Sequence, residues 1–148
     1  MRAVLQRVSR ASVVVDGEAV GRIDRPGLVA LVGITHTDGA GEVAWMARKI
    51  RDLRLLHDER SVADEDAPVL VVSQFTLYGD ARKGRRPTWA AAAPGEVSEP
   101  LYELLCRTLE EQGTTVARGI FGAQMEVELV NDGPFTVVLD TAASAETL

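Results

Sequence analysis

The sequence predicts an α+β fold, a largely antiparallel curved sheet or barrel-like β core that carries two main helices. Three observations support this. Short alternations of apolar and polar residues recur towards both ends of the chain, two apolar stripes of helical period lie between them, and Gly, Pro, Asn and Asp separate the segments. With 148 residues, 46% hydrophobic and 26% charged, the chain suits one domain whose core needs neither metal nor disulfide.

Arg2–Val8 and Ala11–Val15 read as two strands of period two joined by the polar Ser9-Arg10. Asp16-Gly17 is a hairpin turn signal, and Glu18–Ile23 returns as a third strand. After the Pro26-Gly27 turn, Leu28–Ile34 is a continuous apolar strand, expected to be covered on both faces. Val43, Met46, Ala47, Ile50 and Leu53 form one helical stripe. Leu53–Leu56 reads as strand, His57–Ala67 as a charged loop, and Val69–Phe75 as a buried strand. Gly79–Gly95 is the longest irregular stretch. A second helix is expected over Glu99–Gln112, with Ser98 as N-cap and Gly113 as the stop. Val116–Arg118, Met125–Val130 and Phe135–Asp140 complete the strands, with Asn131-Asp132-Gly133-Pro134 read as a turn between the last two. Residues 1–141 are expected to form one domain and 142–148 a flexible tail.

The formal net charge of -6 and pI of about 4.9 argue against a protein that coats nucleic acid, since phosphate neutralisation needs Lys and Arg. A local patch can still grip one RNA end. The start of the chain alternates and lacks the unbroken apolar run of a signal peptide, and no run is long enough to span a bilayer. One cysteine, Cys106, excludes an internal disulfide and suits a cytoplasmic setting.

His36 and His57 stand in separate loops without ligand spacing, and the acidic group Glu59, Asp64, Glu65 and Asp66 reads as a solvated loop. No metal and no cofactor are therefore expected. Cys106 sits on the second helix beside its leucine stripe, the place of a structural thiol, and no Gly-x-Ser-x-Gly elbow occurs. Gly79-Asp80-Ala81-Arg82-Lys83-Gly84-Arg85-Arg86 has the glycine spacing of a phosphate loop but lacks its Lys-Ser/Thr pair. Ser73 and Thr76 are hydroxyls at the end of a buried strand. Beside them Arg82, Lys83, Arg85 and Arg86 form a basic patch, read either as solubilising charge or as a grip on RNA phosphates.

Two segments, Ser73-Gln74-Phe75-Thr76-Leu77-Tyr78-Gly79-Asp80 and Asn131-Asp132-Gly133-Pro134-Phe135-Thr136, resemble the signature motifs of the bacterial and eukaryotic D-aminoacyl-tRNA deacylases. The opening Met1–Val8 and Phe121-Gly122-Ala123-Gln124-Met125 are similar to family segments as well, in order and over essentially the whole chain. The resemblance implies hydrolysis of D-aminoacyl-tRNA, with leakage towards glycyl-tRNA and rejection of L-aminoacyl-tRNA. It also implies a homodimer with active sites at the subunit interface. Ser73, Gln74, Phe75 and Thr76 would line the site, with Thr76 positioning rather than attacking. Gly133-Pro134 would be a Gly-cisPro pair that enters the partner's site and excludes L side chains, with Arg7 holding it. Phe121, Gly122, Ala123 and Met125 would border the terminal adenosine or the amino acid. Phe135 departs from the valine or other apolar residue that many members carry at its place. Besides a related deacylase that holds Gly133-Pro134 trans, the competing readings are a non-catalytic tRNA-binding module and an apolar-ligand or protein-interaction domain.

Overall fold

Strand β1 (Arg2–Val15) is hydrogen-bonded along both edges in the computed structural model, which describes residues 1–145. One edge pairs antiparallel with β6 (Glu126–Asp140), from Arg2↔Asp140 to Val14↔Glu126. The other pairs antiparallel with β3 (Gly27–Gly33) along Arg2–Val8 and with β2 (Glu18–Ile23) along Ala11–Val15. β4 (Val69–Ser73) runs parallel to β3, and β5 (Val116–Arg118) parallel to β4. These pairs are parallel because a helix crosses over between the strands of each: α1 (Ala40–Asp52) between β3 and β4, and α3 (Gly95–Glu111) between β4 and β5. The ends of the mixed sheet then curl together. A Cβ at Gly21 on β2 would lie 2.2 Å from the Arg118 carbonyl oxygen on β5, so the barrel is nearly closed there.

The unbroken apolar runs of β3 and β4 divide their residues between two cores. Leu28, Ala30, Val32, Val69 and Val71 face a layer built with Met46 and Ile50 of α1 and Tyr102, Leu105 and Leu109 of α3. Val29, Leu70 and Val72 face the barrel interior with Val8, Val13 and Ile23. Period-two geometry puts successive side chains on opposite faces. Here both faces are dry, which is why no polar residue interrupts these strands.

Several sequence expectations are corrected. The two expected N-terminal strands are one. Between Val8↔Asn131 and Arg10↔Val130 the register shifts, so polar Ser9-Arg10 marks a bulge, not a loop, after which Ala11 and Val13 join Val8 in the barrel core. Met125–Val130 and Phe135–Asp140 are likewise not a hairpin but one strand. Between Gln6↔Thr136 and Val8↔Asn131, β1 contributes only Arg7 while β6 contributes Asp132, Gly133, Pro134 and Phe135. Turn-forming residues spell an outward bulge as readily as a reversal.

Leu53–Leu56 is not a strand: Leu53 caps α1, and Leu56 makes only an isolated bridge to Arg60. The charged loop holds a 3-10 turn at His57–Glu59 and the short helix α2 (Val62–Glu65). Ser61 Oγ accepts from the Asp64 amide at 3.1 Å, and Asp64 Oδ2 accepts from the Ser61 amide at 2.9 Å, a reciprocal cap. α3 begins a turn earlier than expected, with Pro94 as N-cap, and Ser98 lies inside it donating to the Pro94 carbonyl at 3.1 Å. Ser98 gives the misleading signal, since serine is also a favoured N-cap residue. Thr141–Ala145 form α4, and 146–148, the rest of the expected tail, lie outside the described residues.

Gly21→Ala should wedge β2 away from β5 and cost about 1–3 kcal/mol. The measurement is the urea midpoint of unfolding. A midpoint equal to the parent's would show that the two strands part without penalty.

Candidate active site

The carboxyl ends of parallel β3 and β4 open onto a cavity of about 420 Å³. Val32 and Ile34 supply one wall, and Val72, Ser73, Gln74 and Phe75 the next. Gly95 and Ser98, from the first turn of α3, close a third side. The loop after β5 folds over the rest through Phe121, Gly122, Ala123, Gln124 and Met125, with the Ala123 amide donating to the Ile120 carbonyl at 3.1 Å. The cavity thus brings together Ser73, Gln74, Phe75, Phe121, Gly122, Ala123 and Met125 from segments far apart in the chain.

Thr76 stands just outside this lining, in the 3-10 turn Phe75–Tyr78 that follows β4. It is exposed, and its hydroxyl accepts a short hydrogen bond from the Gln74 side-chain amide. The turn is held by the Leu77 amide on the Gln74 carbonyl (3.2 Å) and by the Arg2 guanidinium, which donates to the Leu77 carbonyl at 3.1 Å. Beyond it, reciprocal 2.9 Å backbone bonds between Asp80 and Thr88 close a small hairpin that carries the basic residues. Arg82 is tied to Asp80 at 2.6 and 2.9 Å, and the guanidinium holds the Asp80 carboxyl down at about 2. Lys83, Arg85 and Arg86 are exposed, without a carboxylate partner among the described residues.

Arg7, Gly133 and Pro134 are gathered elsewhere. The Gly133–Pro134 peptide bond is cis, and both residues are exposed on the β6 bulge. Arg7 anchors this bulge: Nε donates to the Asp132 carbonyl at 2.7 Å, Nη1 reaches the Leu55 carbonyl at 3.4 Å, and the guanidinium lies 4.5 Å from the Phe135 ring centre. The aromatic ring at 135 therefore gives Arg7 a cation–π surface that a smaller apolar residue would not. His57 Nε2 sits 2.7 Å from Asp132 Oδ2 and supports the bulge from outside. The pairing of His57 with Asp132 has no signal in the sequence, because nothing local links residues 75 positions apart.

Cys106 is buried, and burial pushes its thiol up to about 11, as fits a structural side chain rather than a nucleophile. Among the described residues no three His, Cys, Asp or Glu side chains converge as metal ligands. No helix among them is long and apolar enough to cross a membrane.

The curled mixed sheet with its strand-end cavity defines an α+β scaffold already known in solved structures. A c-Myc DNA unwinding element binding protein superposes with a TM-score of 0.89 at 40% identity, covering 95% of this chain and 99% of its own. A probable eukaryotic D-amino acid tRNA deacylase shares the fold with a TM-score of 0.80 at 18% identity, over 94% of this chain and 98% of its own. The chain belongs to the D-Tyr-tRNA(Tyr) deacylase family, whose model matches residues 4–140. Proteins named D-aminoacyl-tRNA deacylase from Thermobifida fusca and Streptomyces coelicolor are each 64% identical to it over 140 residues, 95% of this chain and 99% of theirs.

Arg7→Ala should cost about 1–3 kcal/mol, the loss of a charged donor and of its packing on the Phe135 ring. Chemical denaturation measures it. A variant as stable as the parent would mean that the bulge holds itself without the guanidinium.

Proposed function

We infer that the protein hydrolyses the ester joining a D-amino acid to the 3′-terminal adenosine of tRNA. Free amino acid and intact tRNA are released, L-aminoacyl-tRNA is spared, and mistakes of chirality are cleared from translation. The observation that carries this reading is the cavity assembled from Ser73–Phe75 and Phe121–Met125, in a chain 64% identical to named D-aminoacyl-tRNA deacylases along nearly its whole length.

Water attacks the ester carbonyl carbon, a tetrahedral oxyanion forms, and the carbon–oxygen bond to the ribose breaks as that oxygen takes up a proton. An aminoacyl ester is already activated, so orienting water and stabilising the oxyanion suffice. The first turn of α3 bounds the cavity, and the positive end of its dipole favours the charge that develops. Thr76 positions the reacting groups through Gln74, and the 2′-hydroxyl of the terminal ribose shares the work. No metal or cofactor enters the reaction. Residues 1–141 act as one deacylase unit, in the cytoplasm where tRNA is charged.

Selection against L substrates falls to Gly133-Pro134, whose carbonyls meet an L side chain but leave room for hydrogen or a D substituent. Glycyl esters therefore leak through. The enzyme works as a homodimer in which this pair enters the partner's cavity. Strand geometry supports that arrangement: Arg7, beside the bulge, pairs with Leu28 at the start of β3, whereas the cavity begins at Val32 near its end. Four residues of strand separate them by roughly 13 Å. Within one chain the two features do not meet.

Turnover of a D-aminoacyl-tRNA against its L counterpart tests the reading, which fails if both are cleaved at equal rates or neither is. In single-turnover assays Thr76→Ala should slow hydrolysis without abolishing it, and removing the terminal 2′-hydroxyl should slow it further. A trapped acyl-Thr76 ester would replace this mechanism with covalent catalysis.

Changing Arg82, Lys83, Arg85 and Arg86 together to Ala should weaken tRNA binding and leave the chemical step intact. The slope of log affinity against log salt should flatten by about 0.7 for each single-strand phosphate that these cations no longer neutralise. An unchanged slope would return these residues to ordinary surface charge.

A further inference from the structure

Trp89 is 43% exposed and Phe75 57% exposed, two large aromatic rings on a surface that is otherwise acidic in balance. They touch edge to face, with centroids 5.4 Å apart and planes inclined at 73°. Phe75 also lines the cavity, so the pair leads outwards from its mouth. The hairpin closed by Asp80 and Thr88 comes next, and with it Lys83, Arg85 and Arg86. Cavity, Phe75 and Trp89 thus touch in turn, and the hairpin that carries the cations closes at Thr88, one residue before the indole.

The indole is held rather than loose. Gly79 leaves the room it occupies, since a Cβ there would fall 2.6 Å from the Trp89 ring. The backbone on either side is pinned by the Asp80–Thr88 pair and by the Ala92 amide on the Trp89 carbonyl at 3.0 Å. His36 Nε2 lies 2.7 Å from the Ala90 carbonyl, and Thr35 Oγ1 donates to the Ala91 carbonyl at 2.6 Å. An aromatic ring fixed in this way, half in solvent and next to exposed cations, suits a flat ring attached to phosphate. A single-stranded nucleic acid offers both at every residue.

We propose that Trp89, with Phe75 beside it, is the stacking platform for an unpaired nucleobase upstream of the terminal adenosine, while the hairpin cations hold the adjoining phosphates. This rests on the deacylase reading and extends it from the ester to the strand that carries it. Trp89 is a recognition residue for the polynucleotide and takes no part in the chemistry.

The test compares two substrates, D-aminoacyl-tRNA and D-aminoacyl-adenosine, which keeps the ester but has no upstream base. Trp89→Ala should raise KM for the tRNA about 5- to 150-fold, the range for one base–aromatic stack, with kcat little changed. kcat/KM for D-aminoacyl-adenosine should stay at the parent value, and Trp89→Phe should restore most of the tRNA affinity. Equal losses on both substrates would make Trp89 a structural support of the cavity. An unchanged KM for tRNA would also overturn the proposal, and so would a change in molecular mass by sedimentation, which would make the indole a contact between protein chains. A parent enzyme that cleaves neither substrate would instead refute the deacylase reading itself.

Discussion

Hydrogen bonding along both edges of β1 is the constraint on which the architecture depends. A strand with β6 on one side and β3 followed by β2 on the other cannot lie flat, because its neighbours change halfway along. The bulge at Ser9 accommodates that change and turns Ala11 and Val13 onto the barrel core that Val8 already faces. β3 is then set beside β4 in a parallel pair whose carboxyl ends open together. Cavity, bulge and near-closure at Gly21 all follow from one strand serving two partners on the same edge.

This arrangement separates the rigid parts from the exposed ones. Leu28–Val32 and Val69–Val72 are almost wholly buried, with dry packing on both faces. The residues that follow β4 and those on the β6 bulge, by contrast, reach solvent: Gln74 and Thr76 beside the cavity, Gly133 and Pro134 on the bulge. Polar contacts there are few and specific, such as Arg2 on the Leu77 carbonyl and Arg7 on that of Asp132. Two arginines of β1 thus brace two loops, at opposite ends of the half-strand that pairs with β3.

Much of the fold was legible because hydrophobic periodicity is local. The stripe through Val43, Met46 and Ile50 marked α1, and the dense runs in β3 and β4 announced burial on two faces. Long-range pairing was not legible. Ser9-Arg10 and Asn131–Pro134 carry the composition of connections, and only the register of β1 against β6 reveals them as bulges within continuous strands. The early start of α3 was hidden by Ser98, which reads as an N-cap but lies inside the helix. Around the cavity, Ser73 and Thr76 stood out as hydroxyls at a strand end, whereas Gln74, Phe75 and Phe121–Met125 entered through resemblance alone. Gly95, Ser98 and Gln124 carried no local signal for their place in the lining. The contact of His57 with Asp132 had none either, since it depends on tertiary approach.

The bulge on β6 has a further effect, on colloidal behaviour. Among the described residues, β6 bonds to β1 along one edge and presents the other, fifteen residues long, to solvent. An open edge of that length is a template on which foreign strands can add. Four residues looping out against one, with a proline that has no amide hydrogen to offer, break it into two stretches near the length of an ordinary strand. Glu126 and Glu128 charge the first of them. The segment proposed to judge the handedness of a substrate therefore also interrupts that long edge on which a foreign strand could add.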